Sequence, residues 1–242
     1  MDVKNKIAQV IKQELGQAKL RYRAPVIGYA AANDPLFFQL DEKIGAAQYH
    51  PQTLLADAKT VVVYFLPFSQ ELVSAVRKEK RIVSLWSEYY TETNFLLEQI
   101  AQSLQVELAT MGIRSKAEPP TENFDEMSLT AQWAHKAAAI IAGIGTMGLH
   151  HLLITRQGSA GRLGSIVIDR ELTPSSRPEE PYCLFLKQGS CGICADRCPS
   201  GALTRQGYDR FRCNAYLDGK NIRDDQQGCG CCSSGPCAER AF

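Results

Sequence analysis

Cys191-Gly192-Ile193-Cys194-Ala195-Asp196-Arg197-Cys198-Pro199 is the stretch that decides how this chain folds at its C-terminal end. The spacing C-x2-C-x3-C-P gathers three thiols in one short loop and bends the chain away at a proline. The other cysteines crowd around it: Cys183 upstream, then Cys213, Cys229, Cys231, Cys232 and Cys237 downstream. All nine lie between Cys183 and Cys237, and residues 1–182 contain none. A disulfide-stapled secreted protein would spread its bridges along the chain. The clustering instead predicts metal binding in a cytosolic protein.

A bacterial two-cluster ferredoxin pattern, C-x2-C-x2-C-x3-C-P, places three thiolates on one cluster and the fourth on the other. Here its last three cysteines and the proline are present, Gln188 stands at the first position, and Cys183 is the nearest replacement. Crossing the groups predicts two 4Fe-4S clusters. One is held by Cys183, Cys191, Cys194 and Cys237, and the other by Cys198, Cys213, Cys229 and Cys232. Cys231 is then spare, although it can exchange with Cys229 or Cys232. The competing expectation is a structural zinc site, which two C-x2-C pairs also support and which would contribute folding energy without redox chemistry.

The 242 residues suffice for one substantial core with a smaller module attached. Lys plus Arg number 27 against 26 Asp plus Glu, which offers no large positive field to gather nucleic acid. Met1 to Ile7 mixes charges without an apolar core, so no secretory signal is expected. No apolar run reaches a membrane span either.

Val3, Ile7, Val10, Ile11 and Leu15 recur at helical spacing and predict a helix over 2–17. Residues 24–31 read as a strand. Thr60–Phe65 (TVVVYF) is continuously apolar, as a strand covered on both faces should be. A long helix is predicted over 88–111 with Gly112 closing it. Residues 119–123 read as a loop, 129–142 as an alanine-rich helix, and 152–155 and 165–169 as strands joined by a glycine-rich connection. Pro174–Pro181 reads as a linker, which divides the chain into 1–178 and 179–242.

Gly143-Ile144-Gly145-Thr146-Met147-Gly148 matches G-x-G-x-x-G, with Asp169 about twenty residues on. A dinucleotide site needs a strand before the glycines and a helix after them. The order here is reversed, which predicts a tight helix-to-strand turn, or a glycine surface against some other large flat cofactor.

From Trp133-Ala134-His135-Lys136 through Ala142-Gly143-Ile144-Gly145, Leu153-Ile154-Thr155 and Arg162–Asp169 to the cysteine module, the chain resembles the epoxyqueuosine reductases and, more distantly, the reductive dehalogenases. The resemblance implies an α/β (α+β) chain: a nitroreductase-like α/β sandwich holding cobalamin, followed by a small ferredoxin-like module with two 4Fe-4S clusters. The expected activity is an iron-sulfur oxidoreductase that takes single electrons from a ferredoxin or flavodoxin and delivers them to the corrinoid. Gly143, Gly145, Thr146, Gly148, Gly158, Arg162, Leu163 and Gly164 are the expected cofactor contacts. The family's proton-donating aspartate would fall near Leu129, with Asp125 the nearest catalytic candidate. Gly148-Leu149 replaces the family's Gly-Lys, and the chain stops at Phe242 without the helical repeats that help longer enzymes hold tRNA. These departures predict a small molecule or another protein, rather than tRNA, as substrate.

His135, His150 and His151 are expected to be structural unless one carries a proton. Trp86, Tyr89 and Tyr90 are expected in the core, and Arg77–Arg81 in solvent. The rival expectations are a non-catalytic electron carrier and a reductase that keeps the pocket for flavin.

Overall fold

The computed structural model describes residues 2–79, 84–119, 124–219 and 228–242. Helix α1 (Val3–Gln17) and strand β1 (Val26–Ala31) open the chain. Short helices α2 (Leu40–Ile44) and α3 (Pro51–Leu54) lead into strand β2 (Thr60–Pro67). Helices α4 (Gln70–Glu79) and α5 (Ser84–Thr110) precede strand β3 (Ser115–Ala117). The hairpin β4 (Phe124–Asp125) and β5 (Thr130–Ala131) comes next, then helix α6 (His135–Ile141). A second hairpin, β6 (Gly145–Met147) and β7 (Leu153–Thr155), runs into strand β8 (Gly161–Ile168). The cysteine-rich part carries helices α7 (Leu184–Gln188), α8 (Ile193–Asp196) and α9 (Arg210–Asp218).

Strand β2 is buried along its whole length, which is why its sequence is continuously apolar. Its alternate side chains enter different cores: Val61, Val63 and Phe65 pack with Ala138, Ala139 and Ile141 of α6. Val62, Tyr64 and Leu66 pack with Ile7 and Ile11 of α1 and Leu97, Ile100 and Leu104 of α5. The sheet order is β1-β2-β8-β3, antiparallel throughout. Helices thus cover both faces, and the mixed α/β class read from the sequence holds. Helix α5 ends as predicted: Gly112 adopts φ +69, and the Ile113 N–H returns to the Leu108 carbonyl at 3.0 Å.

Several boundaries differ from the sequence reading. The helix expected over 129–142 shrinks to α6, because Leu129 takes a left-handed turn (φ 53) and Thr130 pairs with Asp125. The strand expected over 165–169 begins at Gly161. The glycine-rich segment can join it because the place a Gly164 side chain would occupy lies 2.5 Å from the Tyr64 ring. Residues 120–123 of the expected loop lie outside the described residues.

Pro174–Pro181 contains no helix or strand, yet its first half is fixed. Ser175 exchanges hydrogen bonds with Tyr29 of β1, and Arg177 donates to the Ile141 carbonyl and pairs with Asp34. Nor does the cysteine-rich part stand apart after residue 178. Phe68, Val76, Trp86, Tyr89 and Ala160 share a core with Ala238, and Leu149 and Ile154 share another with Cys183, Cys194 and Leu203. Trp86 and Tyr89 therefore sit in the core, as expected.

Candidate functional site: two thiol groups beside a buried polar pair

Short turns bring the cysteines together. Cys183 precedes α7, Cys191 and Cys194 flank the start of α8, and Cys198 follows it. Cys213 lies on α9, whose N-terminus is capped by the Asp209 carboxylate accepting from Arg212 N–H at 3.0 Å. Cys229, Cys231, Cys232 and Cys237 come in on the C-terminal turns. None of the nine forms a disulfide.

Cys183, Cys191, Cys194 and Cys237 line one cavity, closed on the α/β side by Leu149 and His150. Burial pushes the Cys194 thiol up to about 11, and nearby Cys183 and Cys191 push it the same way. Cys237 is pushed up to about 12 by burial and then by Cys194 and Cys183, against a lowering pull from the Ser159 hydroxyl. The remaining thiols, Cys231 among them, interact with one another. Burial raises Cys232 strongly, with Cys229, Cys213, Cys194 and Cys198 adding to it, and burial likewise raises Cys213, helped by Cys229 and Cys198. Cys198 is the exception. Burial opposes its ionisation, but the Ser200 hydroxyl and the N–H groups of Leu203, Ser200 and Ala202 hold it below the usual thiol range.

Cys231 is fully buried, and its sulfur turns back toward the Cys229 carbonyl at 3.7 Å. Among the described residues no three His, Cys, Asp or Glu side chains converge on the position of a single metal ion.

The hairpin β6–β7 carries the histidines. Its turn places His151 at φ 56 with its ring 5.1 Å from that of Tyr208, and buries His150 at 4% exposure. His150 Nδ1 accepts from Leu152 N–H at 3.1 Å, and Nε2 stands 3.5 Å from Cys237 Sγ. Burial first, then His151 and Lys136, depress His150 to about 4, so it is neutral at physiological pH.

A second polar group lies at the sheet. Trp133 Nε1 donates to Ser165 Oγ at 2.9 Å, and Ser165 Oγ lies 3.0 Å from His135 Nδ1. Burial, then the nearby Arg162 guanidinium, push His135 down to about 4, opposed by the Pro119 carbonyl. Arg162 stacks over the Tyr90 ring at 3.9 Å and donates through Nη2 to Asn94 Oδ1 at 2.6 Å. His135 Nε2 and Arg162 Nε are both sealed from solvent and have no hydrogen-bond partner.

The other expected cofactor contacts face protein. A side chain at Gly143 would meet the Ser176 carbonyl at 2.5 Å, at Gly145 the Ile154 carbonyl at 2.2 Å, and at Gly148 the His150 ring at 2.6 Å. Gly158 (φ +85) is closed by the Ala238 carbonyl at 2.3 Å. Thr146 Oγ1 accepts from Tyr182 N–H at 2.8 Å, and Leu163 packs on the core beneath the sheet. Protein backbone and rings crowd the side-chain position at each of these glycines, which gives each a packing reason to be small. The G-x-G-x-x-G stretch is the helix-to-strand turn, with Gly143 at φ +72.

Asp125 is exposed rather than aimed into a pocket beside Gly145. The Ser128 hydroxyl and the N–H groups of Met127 and Ser128 hold its carboxyl below the usual carboxylate range. Arg77, expected in solvent, donates to the carbonyls of Ser234 at 3.1 Å and Gly235 at 3.3 Å and pairs with Glu239 at 2.8 Å. Lys80 and Arg81 lie outside the described residues. No single residue signalled the His150–Cys237 contact in the sequence, because it joins positions 87 apart.

No family model matches the chain. It is 29% identical over 173 residues to the epoxyqueuosine reductase of Bacillus anthracis, covering 69% of this chain and 42% of that protein. The Yersinia pestis epoxyqueuosine reductase is 36% identical over 97 residues, 39% of this chain and 22% of that one. The chain thus spans less than half the length of these curated relatives. A crystal structure of an epoxyqueuosine reductase covers all of this chain and 68% of its own, with a TM-score of 0.63 at 21% identity. A reductive dehalogenase described with a mechanism for B12-dependent dehalogenation covers 87% of this chain and 29% of its own, with a TM-score of 0.61 at 16% identity. In sequence the chain is similar to the epoxyqueuosine reductases, and its fold is the one that they and the reductive dehalogenases share.

Proposed function

We propose that this chain is an iron-sulfur reductase in which two 4Fe-4S clusters pass single electrons toward a corrinoid held against the sheet domain. The observation that carries it is the crowding of nine thiols in one region: Cys183, Cys191, Cys194 and Cys237 line one cavity, and Cys198, Cys213, Cys229, Cys231 and Cys232 interact beside it. In this reading the first four hold one cluster, and the second group holds the other with Cys231 spare. Buried thiols that repel one another when ionised can all be thiolates only around a strongly cationic centre, which iron supplies. In this proposal 1–178 is the nitroreductase-like part and 179–242 the ferredoxin-like part.

The corrinoid part rests on the fold shared with a dehalogenase described with a B12-dependent mechanism and on Arg162, whose Nε is sealed from solvent without a partner. A bound corrinoid would supply a metal centre able to reduce or attack a substrate. Arg162, held by Tyr90 and Asn94, would bind its polar periphery, and neutral His135 would orient it through Ser165. The packed glycines favour the rival reading of an electron carrier without a pocket, whereas the unsatisfied buried Arg162 nitrogen favours an enzyme. Cob(II)alamin titrated into the reconstituted protein is expected to shift its spectrum on binding, and Arg162→Ala to weaken that binding at least about tenfold, the loss of one charged hydrogen bond. Absence of any spectral change in the wild type would contradict the corrinoid part and leave a carrier.

The expectation against tRNA gives way in one respect. One solved epoxyqueuosine reductase of this fold holds an epoxyqueuosine-modified tRNA stem loop, with a TM-score of 0.62 to this chain at 22% identity. A modified tRNA stem loop is therefore the first substrate class to test, beside small molecules. A ferredoxin or flavodoxin is the proposed electron donor. Among the described residues no helix is long and apolar enough to cross a membrane.

A further inference from the structure

His150 is buried at the turn of the β6–β7 hairpin, and Leu152 N–H donates to its Nδ1 at 3.1 Å. A nitrogen that accepts a hydrogen bond carries no proton, so in the neutral ring the proton sits on Nε2. Nε2 faces Cys237 Sγ at 3.5 Å, within the range of an N–H···S hydrogen bond. Two features hold the ring there. A side chain at Gly148 would collide with it at 2.6 Å, and Gly148 N–H bonds the Leu152 carbonyl at 2.9 Å, which closes the turn.

A second donor approaches the same sulfur. Ser159 is 4% exposed, and its hydroxyl, sealed from solvent and with no other hydrogen-bond partner among the described residues, lies against the Cys237 sulfur. Its backbone N–H bonds the Cys237 carbonyl at 2.9 Å, which fixes the two residues side by side. A thiolate sulfur on Cys237 would satisfy that hydroxyl, which burial would otherwise leave poorly paired.

We infer that His150 and Ser159 are positioning residues that set the reduction potential of the cluster on Cys183, Cys191, Cys194 and Cys237, by donating Nε2–H and Oγ–H to the Cys237 sulfur. The inference rests on the cluster reading proposed above. One-electron reduction adds negative charge to the cluster and its sulfurs, so donors aimed at a ligand sulfur stabilise the reduced state and raise the potential. The donors come from the α/β part of the chain while the sulfur comes from the C-terminal turn. Docking of one on the other therefore makes that cluster easier to reduce than it would be without the two donors.

The test is a redox titration of the reconstituted full chain, followed by electron paramagnetic resonance, in the wild type, His150→Leu, Ser159→Ala and the double variant. Iron and sulfide are assayed in each. The expected result is that each single variant keeps both clusters and moves one midpoint potential downward, leaves the other in place, and that the double variant moves the same one further. Ser159→Ala preserves the backbone bond to Cys237, so it decides the matter should His150→Leu take up no iron. Potentials that stay at wild-type values in variants holding both clusters, or that shift equally for both, would overturn the inference while the cluster reading stands. A wild type with no iron-sulfur absorbance would bring down the cluster reading itself, and this inference with it.

Discussion

Anaerobically reconstituted Cys194→Ser protein is expected to hold about half the iron and sulfide of the wild type, roughly four atoms of each in place of eight. Cys194 lines the cavity with Cys183, Cys191 and Cys237, and a serine hydroxyl is a poor substitute for a soft thiolate. Cys198→Ser is expected to remove the other half, since Cys198 interacts with Cys213 and Cys232. Cys231→Ser is the control. Its sulfur turns to the Cys229 carbonyl, so the variant should keep its full iron. Loss of a cluster from Cys231→Ser, or full occupancy in Cys194→Ser, would show that the ligand sets are drawn wrongly.

The second large effect concerns how the cysteine-rich part is held. Arg23 donates from Nε to the Phe68 carbonyl at 2.7 Å, from Nη1 to the Glu239 carbonyl at 2.9 Å, and from Nη2 to the Ala238 carbonyl at 3.3 Å. The site is partly buried, and burial pulls the Arg23 pKa down. Arg23→Ala would leave three carbonyls short of a charged donor, and the expected loss is about 2–4 kcal/mol of unfolding free energy, with faster loss of iron from the Cys237 site. Arg23→Lys should rescue little, because one ammonium cannot reproduce a planar fork. Arg114 is the instructive contrast. It pairs with both Asp57 at 2.6 Å and Asp169 at 2.8 Å, but it is 63% exposed, and surface pairs contribute about 1 kcal/mol or less. Urea denaturation of both alanine variants checks the ranking. A larger loss for Arg114→Ala would contradict the view that Arg23 fastens the tail.

The sequence was most legible where local chemistry decides structure. Thr60–Phe65 had to be a strand buried on both faces, since no other element suits so unbroken a β-branched run, and the presence of α1 and α5 followed from apolar spacing, although α5 starts four residues earlier than expected. Cysteine positions put all nine thiols in the C-terminal part of the chain, and their division into two ligand sets is the assignment proposed above. Legibility failed where distant parts of the chain override local preference. Gly161–Gly164 looked like a loop because glycine disfavours strands, yet the rings of Tyr64 and Phe65 on the neighbouring strand require it there. Pro174–Pro181 looked like a free linker, because nothing local reveals that Ser175 bonds Tyr29 or that Arg177 reaches Asp34. Arg77 read as solvated for the same reason. Asp125 was attractive by position alone, and the turn that ties up its carboxylate lies in the three residues after it.

The most direct measurement of the central claim is Mössbauer spectroscopy of the full chain purified without oxygen and supplied with isotopically enriched iron, together with a zinc assay. The account predicts only cubane iron with delocalised valence, at two clusters per chain, and no stoichiometric zinc. Zinc in place of iron, or paired cystines with no metal, would contradict it.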